Sequence, residues 1–167
     1  MFQLIFKAFF LILTLQLTLQ AREINLDNLI QTAKKSNKHL FLFLHKTDCG
    51  YCDSMIEFTL QNDTIKAFTD KSFIYEHINV YDKDHIRYKD FSGDGRQFAK
   101  SIGYDFYPTT LFFDNKSDIV FIEVGYRDNK LLPNENRFYR ILNYIDSKSY
   151  KKMDYEDYEF KIEEELE

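Results

Sequence analysis

Cys49 and Cys52 are the two cysteines of the 167-residue chain, and they stand two residues apart in HKTDCGYCDSM, His45 to Met55. Such a pair can staple a loop, hold a metal or exchange electrons. A bridge that closes a ring of four residues stabilises by about 2 kcal/mol in the chain-entropy model, against about 3 for fifteen residues, so it clamps poorly. A zinc site needs about four ligands. The chain has no second CxxC, and His39, His45, His77 and His85 lack zinc-finger spacing, so no metal is expected. Asp82, Asp84, Asp90 and Asp94 lack the spacing and terminal glutamate of a calcium loop and read as a solvated segment. Redox exchange needs an attacking thiolate, a nearby resolving thiol and access for a partner.

The elements around the pair supply those conditions. The run HLFLFLH, residues 39–45, is short, continuous and apolar, the pattern of a strand buried on both faces. Residues 51–60 lack glycine and proline and can bury Met55, Ile56, Phe58 and Thr59 along one stripe, which predicts a helix opening at the cysteines. Cys49 then lies at the positive end of a helix, which favours its thiolate and predicts a pKa below the free-thiol value of about 8.5. Cys52, one turn inside, is the more buried thiol. Cys49 is expected to attack and Cys52 to resolve.

Ile24, Leu26, Leu29, Ile30 and Ala33 fall near helical spacing and predict a helix over 25–37, with Lys34, Lys35 and Lys38 at its negative end. Asp63 can cap a short helix over 65–68, and residues 73–81 read as a strand with Ile74, Glu76, Ile78 and Val80 on one face. The polar segment 82–95 holds a Gly93-Asp94-Gly95 turn, and a helix over 96–102 ends at Gly103. Beyond Pro108, strands 109–114 and 119–125 form a hairpin about residues 115–118. Pro133 opens a last helix whose face is Phe138, Ile141, Leu142 and Ile145. A parallel crossover followed by an antiparallel hairpin makes a mixed sheet with helices on both faces.

Residues 1–21 carry one lysine, an apolar centre and a small residue at Ala21, the pattern of a secretory signal peptide; an uncleaved anchor is the alternative. Either places the remainder outside the cytoplasm, in the periplasm or its equivalent, where disulfides persist. Residues 22–149 form one domain, and 150–167 an acidic extension with eight acids and three lysines. That extension can prolong the last helix or lie as a peripheral strap. The net charge of −5 leaves no basic footprint for nucleic acid.

The chain resembles extracytoplasmic thioredoxin-fold proteins, the group that includes the sulfur-oxidation-associated SoxW proteins, over residues 24–160. The shared elements are FLFLH before Cys49-Gly50-Tyr51-Cys52, Ile78-Asn79-Val80, Phe91-Ser92-Gly93, the run from Phe98 to Tyr104, the run from Tyr107 to Asp114, Gly125-Tyr126 and Tyr150-Lys151-Lys152-Met153. The resemblance implies an α/β thioredoxin fold and a thiol–disulfide oxidoreductase without a cofactor, with Cys49 and Cys52 as its redox-active disulfide. It implies a cis Pro108 facing the cysteines and a Tyr107 backbone that pairs with an extended client. Protein dithiols or disulfides are the expected clients, and a membrane electron-transfer partner recharges the site. Gly50-Tyr51 resembles the dipeptide of periplasmic disulfide isomerases, but a monomeric reductase is favoured. An oxidase of secreted proteins and a non-catalytic binding module are the rivals.

Three residues depart from the group. Asp48 stands where a tryptophan usually precedes the first cysteine, and its carboxylate opposes ionisation of Cys49. Phe43 stands where a buried acid helps to deprotonate the second cysteine, and Tyr107 replaces a commoner threonine. His45 and His77 are the candidates to relay a proton in place of that acid.

Overall fold

The computed structural model describes residues 21–127 and 136–165. The expectations for residues 1–20 and for Pro133 as a helix opener lie outside the described residues. A three-residue strand, β1 (Glu23–Asn25), leads into α1 (Leu26–Lys35), whose first turn is closed by the Asn25 carboxamide accepting from Asn28 N–H. Asp27 at its start and Lys34 and Lys35 at its end match the helix dipole, and Leu26, Ile30 and Ala33 are its buried face. Asn37, at φ 52°, turns the chain into β2 (His39–His45).

α2 (Gly50–Met55) starts at the cysteines and continues as a π-helical turn, Ile56–Leu60. α3 (Asp63–Ser72) is longer than its sequence suggests, and its cap is Asn62 rather than Asp63. The Asn62 carboxamide accepts from Thr64 and Ile65 N–H, which leaves Asp63 to favour the first turn by charge alone. β3 (Phe73–Asn79) follows.

The polar segment expected as a loop instead forms a hairpin of β4 (His85–Tyr88) and β5 (Phe91–Asp94), turning at Lys89 with φ 51°. Ile86 and Tyr88 are buried while His85 and Arg87 are exposed, an alternation too short to stand out among its polar neighbours. The Gly93-Asp94-Gly95 turn is likewise corrected. Asp94 caps α4 (Gly95–Ser101) through a capping box with Gln97. Gly95 packs so closely that a Cβ would lie 2.9 Å from Val80 Cα. Then come β6 (Thr109–Phe113), β7 (Ile119–Val124) and α5 (Arg137–Asp146), whose buried side includes Phe138, Ile141, Leu142 and Ile145 as expected.

The central sheet is mixed, in the order β3-β2-β6-β7, with β2 parallel to β3 and antiparallel to β6. A second sheet, β1-β4-β5, is an addition that the sequence pattern did not reveal. Leu40, Leu42 and Leu44 of β2 join a core with Leu26, Ile30 and Phe98, while Phe41 and Phe43 join the opposite core with Phe112, Phe138 and Ile141. Fully burying each such side chain stabilises by roughly 1.5–3 kcal/mol.

The acidic extension forms a separate helix, α6 (Tyr155–Glu164), that packs back on α5, the strap alternative. Glu159 receives Arg140 at 2.7 Å and also pairs with Arg137, and Arg137 bridges on to Glu123 of β7 at 3.1 Å. Burial alone would raise the Glu159 pKa, but the hydrogen bonds and charges of Arg140 and Arg137 outweigh it and hold the carboxyl below its ordinary range. Replacing Asn62 with alanine should cost about 1 kcal/mol in urea unfolding. Asp63→Ala is expected to cost less than half as much, and a reversed order would contradict the cap assignment.

Candidate active site

β2 ends at His45, and the ladder is carried one step further by Val80 N–H donating to the His45 carbonyl at 2.9 Å. The loop that follows is tied to β3 by Asn79 Nδ2 donating to Thr47 Oγ1 at 3.0 Å. Asp48, exposed and at φ 55°, turns the chain so that Cys49 becomes the N-cap of α2. Cys49 Sγ accepts from Cys52 N–H at 3.2 Å, and Asp53 N–H closes the first helical turn on the Cys49 carbonyl at 3.0 Å. The sulfur therefore occupies the place that a capping oxygen takes in other helices.

Cys49 and Cys52 form a disulfide with Cα atoms 5.2 Å apart. Cys49 keeps 6% of its surface and Cys52 none, so a partner can approach only the first sulfur. Tyr107 O lies 3.9 Å from Cys49 Sγ, and the Tyr107–Pro108 peptide is cis. Two bonds pin that loop: Gly125 N–H to the Pro108 carbonyl at 2.7 Å, and Thr109 Oγ1 to the Phe106 carbonyl at 2.6 Å. Gly125 has φ +84°, a conformation suited to glycine. The structure thus brings Cys49, Cys52, Tyr107 and Pro108 to one place, with exposed Tyr51 and Phe106 beside them.

Phe43 is buried in the core that also holds Met55 of α2, so no carboxylate lies there. His45 and His77 meet each other instead, with His45 Nε2 and His77 Nδ1 3.2 Å apart and His45 stacked on Phe43 at 5.3 Å between centroids. Burial lowers the His45 pKa first, and the neighbouring His77 lowers it further, so the imidazole is held neutral. Neither ring hydrogen-bonds a cysteine among the described residues. His39 instead pairs with the Tyr150 hydroxyl, and His85 with Ser92. Asp84 holds Arg22 and Asp94 caps α4. No group of three or more potential metal ligands occurs among the described residues.

Asn79, Thr47 and Gly125 position the site without having been singled out for it. Asn79 and Gly125 stand inside the motifs quoted above, yet no local pattern tells which backbone or side chain they will meet. The same holds for Arg96, whose guanidinium lies 5.5 Å from the ring of exposed Tyr81. Burial raises the Tyr107 pKa, helped by Asp105 and Tyr81, so its phenol stays neutral.

A family model for a thioredoxin-like domain matches residues 26–144. The chain belongs to the thioredoxin-like domain family. Its fold is similar to that of a thioredoxin-fold protein from Helicobacter pylori, with 18% identity over 75% of this chain and 80% of that one and a TM-score of 0.59. A thioredoxin from Thermus thermophilus is also 18% identical, over 75% of this chain and 86% of its own, with a TM-score of 0.54. The reduced DsbD C-terminal domain of Neisseria meningitidis gives 15% identity, coverages of 71% and 91%, and a TM-score of 0.50. Among curated proteins there is no significant match.

His39 and His45 both have depressed pKa values, chiefly through burial. The unfolded chain therefore takes up protons first as pH falls through the ordinary histidine value of about 6.5. The stability that these two residues contribute is complete above that value and is lost as pH falls through their lowered folded-state values. Urea unfolding should give a lower free energy at pH 5.5 than at 7.5, and His45→Phe should shrink the difference; an unchanged difference would show that His45 is not held neutral.

Proposed function

We propose that the chain is an extracytoplasmic thiol–disulfide oxidoreductase that reduces disulfides in client proteins. The observation that carries this reading is the asymmetric pair: Cys49 caps α2 through its sulfur and keeps some exposure, whereas Cys52 is fully buried. In the dithiol form the Cys49 thiolate accepts the Cys52 N–H and attacks one sulfur of a client disulfide. A Cys49–client bond forms, the client S–S bond breaks, and the departing client thiolate takes up a proton. Cys52, on losing its proton, attacks Cys49 Sγ and releases the second client thiol. Two electrons pass to the client, and the Cys49–Cys52 bond closes.

Tyr107 and Pro108 border the attacked sulfur, and an extended client chain fits against the Tyr107 carbonyl beside Cys49. The reverse exchange with a dithiol donor recharges the site. The likeness to a DsbD domain determined in the reduced form supports a site that cycles between dithiol and disulfide. The signal-like pattern of residues 1–21 supports a location outside the cytoplasm, with the donor at the membrane.

Cys52→Ser should accumulate mixed disulfides with client proteins, and Cys49→Ser should accumulate none. If neither variant traps a client and both bind partners as the wild type does, the domain is a binding module. Equilibration with glutathione chooses direction, because a reductant is expected near −270 mV and an oxidant near −120 mV.

A further inference from the structure

His39 opens β2 as His45 closes it, so a feature at His39 lies about 20 Å along the strand from the turn into the cysteines. A small notch is sunk there, between the end of α1, the turn after β6 and the short turn Ser149–Lys151. Lys34 and Lys38 line it from the first, Asn115 from the second, and Lys148 and Lys151 from the third. None of its lining residues belongs to the cysteine site.

Three features say what fits. The lining holds four lysines and no carboxylate, in a chain whose 27 acids outnumber its 22 lysines and arginines. Among the described residues the lysines that pair with carboxylates are Lys66 and Lys89, so Lys34, Lys148 and Lys151 are not neutralised. Lys38 lends only its stem, because its ammonium donates to the Asp70 carbonyl at 2.6 Å. The inner wall is His39, 6% exposed, whose Nε2 meets the Tyr150 hydroxyl at 3.2 Å and whose other ring nitrogen has no partner among the described residues. Burial lowers the His39 pKa first; Lys148 and Lys151 lower it further, and Asp146 and Asp114 oppose them. Asp114 already accepts from the Lys116 and Asp118 N–H groups. Lastly, the notch offers about 20 Å³, room for one oxygen of a compact group and not for a ring. Three ammoniums about so small a space match a multiply charged phosphate better than a single carboxylate.

We propose that this notch binds a phosphate group through the ammoniums of Lys34, Lys148 and Lys151, with the carboxamides of Asn37 and Asn115 adding donors at its rim. A soluble phosphate ester and the headgroup of an anionic lipid carry the same chemistry. Because the notch and the cysteines stand at opposite ends of β2, a ligand held there leaves the disulfide face free.

The test uses the oxidised full chain at constant ionic strength, with inorganic phosphate as the probe and acetate as the control, followed by two-dimensional NMR. Phosphate is expected to shift the amides of Asn37, His39 and Lys148 saturably with a millimolar or tighter Kd, and acetate to bind about tenfold more weakly. Saturating phosphate should also raise the His39 pKa, since it offsets Lys148 and Lys151. Lys148→Gln combined with Lys151→Gln should weaken phosphate about tenfold, whereas Lys83→Gln combined with Lys100→Gln, the same loss of charge outside the notch, should leave it unchanged. Shifts that do not saturate, equal affinity for acetate, an unmoved His39 pKa or equal weakening by the two double variants would overturn the proposal. Co-sedimentation separates the sources, using vesicles of equimolar phosphatidylglycerol and phosphatidylcholine against phosphatidylcholine alone. Extra binding to the anionic vesicles that the Lys148 and Lys151 changes remove, and that inorganic phosphate competes away, assigns the lipid headgroup. Phosphate binding without that excess assigns a soluble ester.

Discussion

The structure depends on β2 being enclosed on every side. Its edges are taken by β3 in parallel and β6 in antiparallel register, and its side chains from Leu40 to Leu44 are at most 1% exposed. A backbone held in this way cannot slip, because a shift of one residue would exchange the two cores. The pairing of Leu44 with Thr109 then places Pro108 at the level where β2 runs out. Cys49 and Tyr107 lie 58 positions apart in sequence and still meet at 3.9 Å. The site is a consequence of strand register.

What the register delivers, the surrounding hydrogen bonds fix. On one side Asn79 ties the loop before Cys49 to β3, and on the other Gly125 ties Pro108 to the end of β7. β7 is in turn held to α5 and α6 through the Glu123, Arg137 and Glu159 chain. The C-terminal helix thus supports the far wall of the site without touching it. Beneath the site, Phe43 supplies packing where an acid would supply a proton acceptor. The imidazole pair of His45 and His77 shares its hydrogen bond internally, and neither ring hydrogen-bonds a cysteine among the described residues.

Legibility in the sequence followed the length and apolarity of each element. HLFLFLH could only be a buried strand, and the stripe of Phe138, Ile141, Leu142 and Ile145 could only be a helix face; both are found as read. β1, β4 and β5 escaped notice because three or four residues with one or two buried side chains carry too little periodicity. Asn62 and Asp63 are both good caps and stand side by side, so composition could not choose between them. The place of the cysteines at a helix start and the deeper burial of Cys52 were readable from the strand-to-helix context. Tyr107 and Pro108 were readable only through resemblance, since nothing local pairs them with residues so far away. The meeting of His45 and His77 needed the parallel register, in which Phe43 faces His77 and His45 faces Asn79.

The proposed division of labour between the two sulfurs rests on the first being a thiolate at a helix start and the second being closed to solvent. Its most direct measure is the rate of iodoacetamide alkylation of each cysteine in the reduced protein as a function of pH. Cys49 should alkylate first, with a half-maximal rate below pH about 8.5, while Cys52 stays protected until the protein unfolds. A Cys49 that reacts only above that pH, or a Cys52 that reacts as fast, would contradict its role as the attacking sulfur.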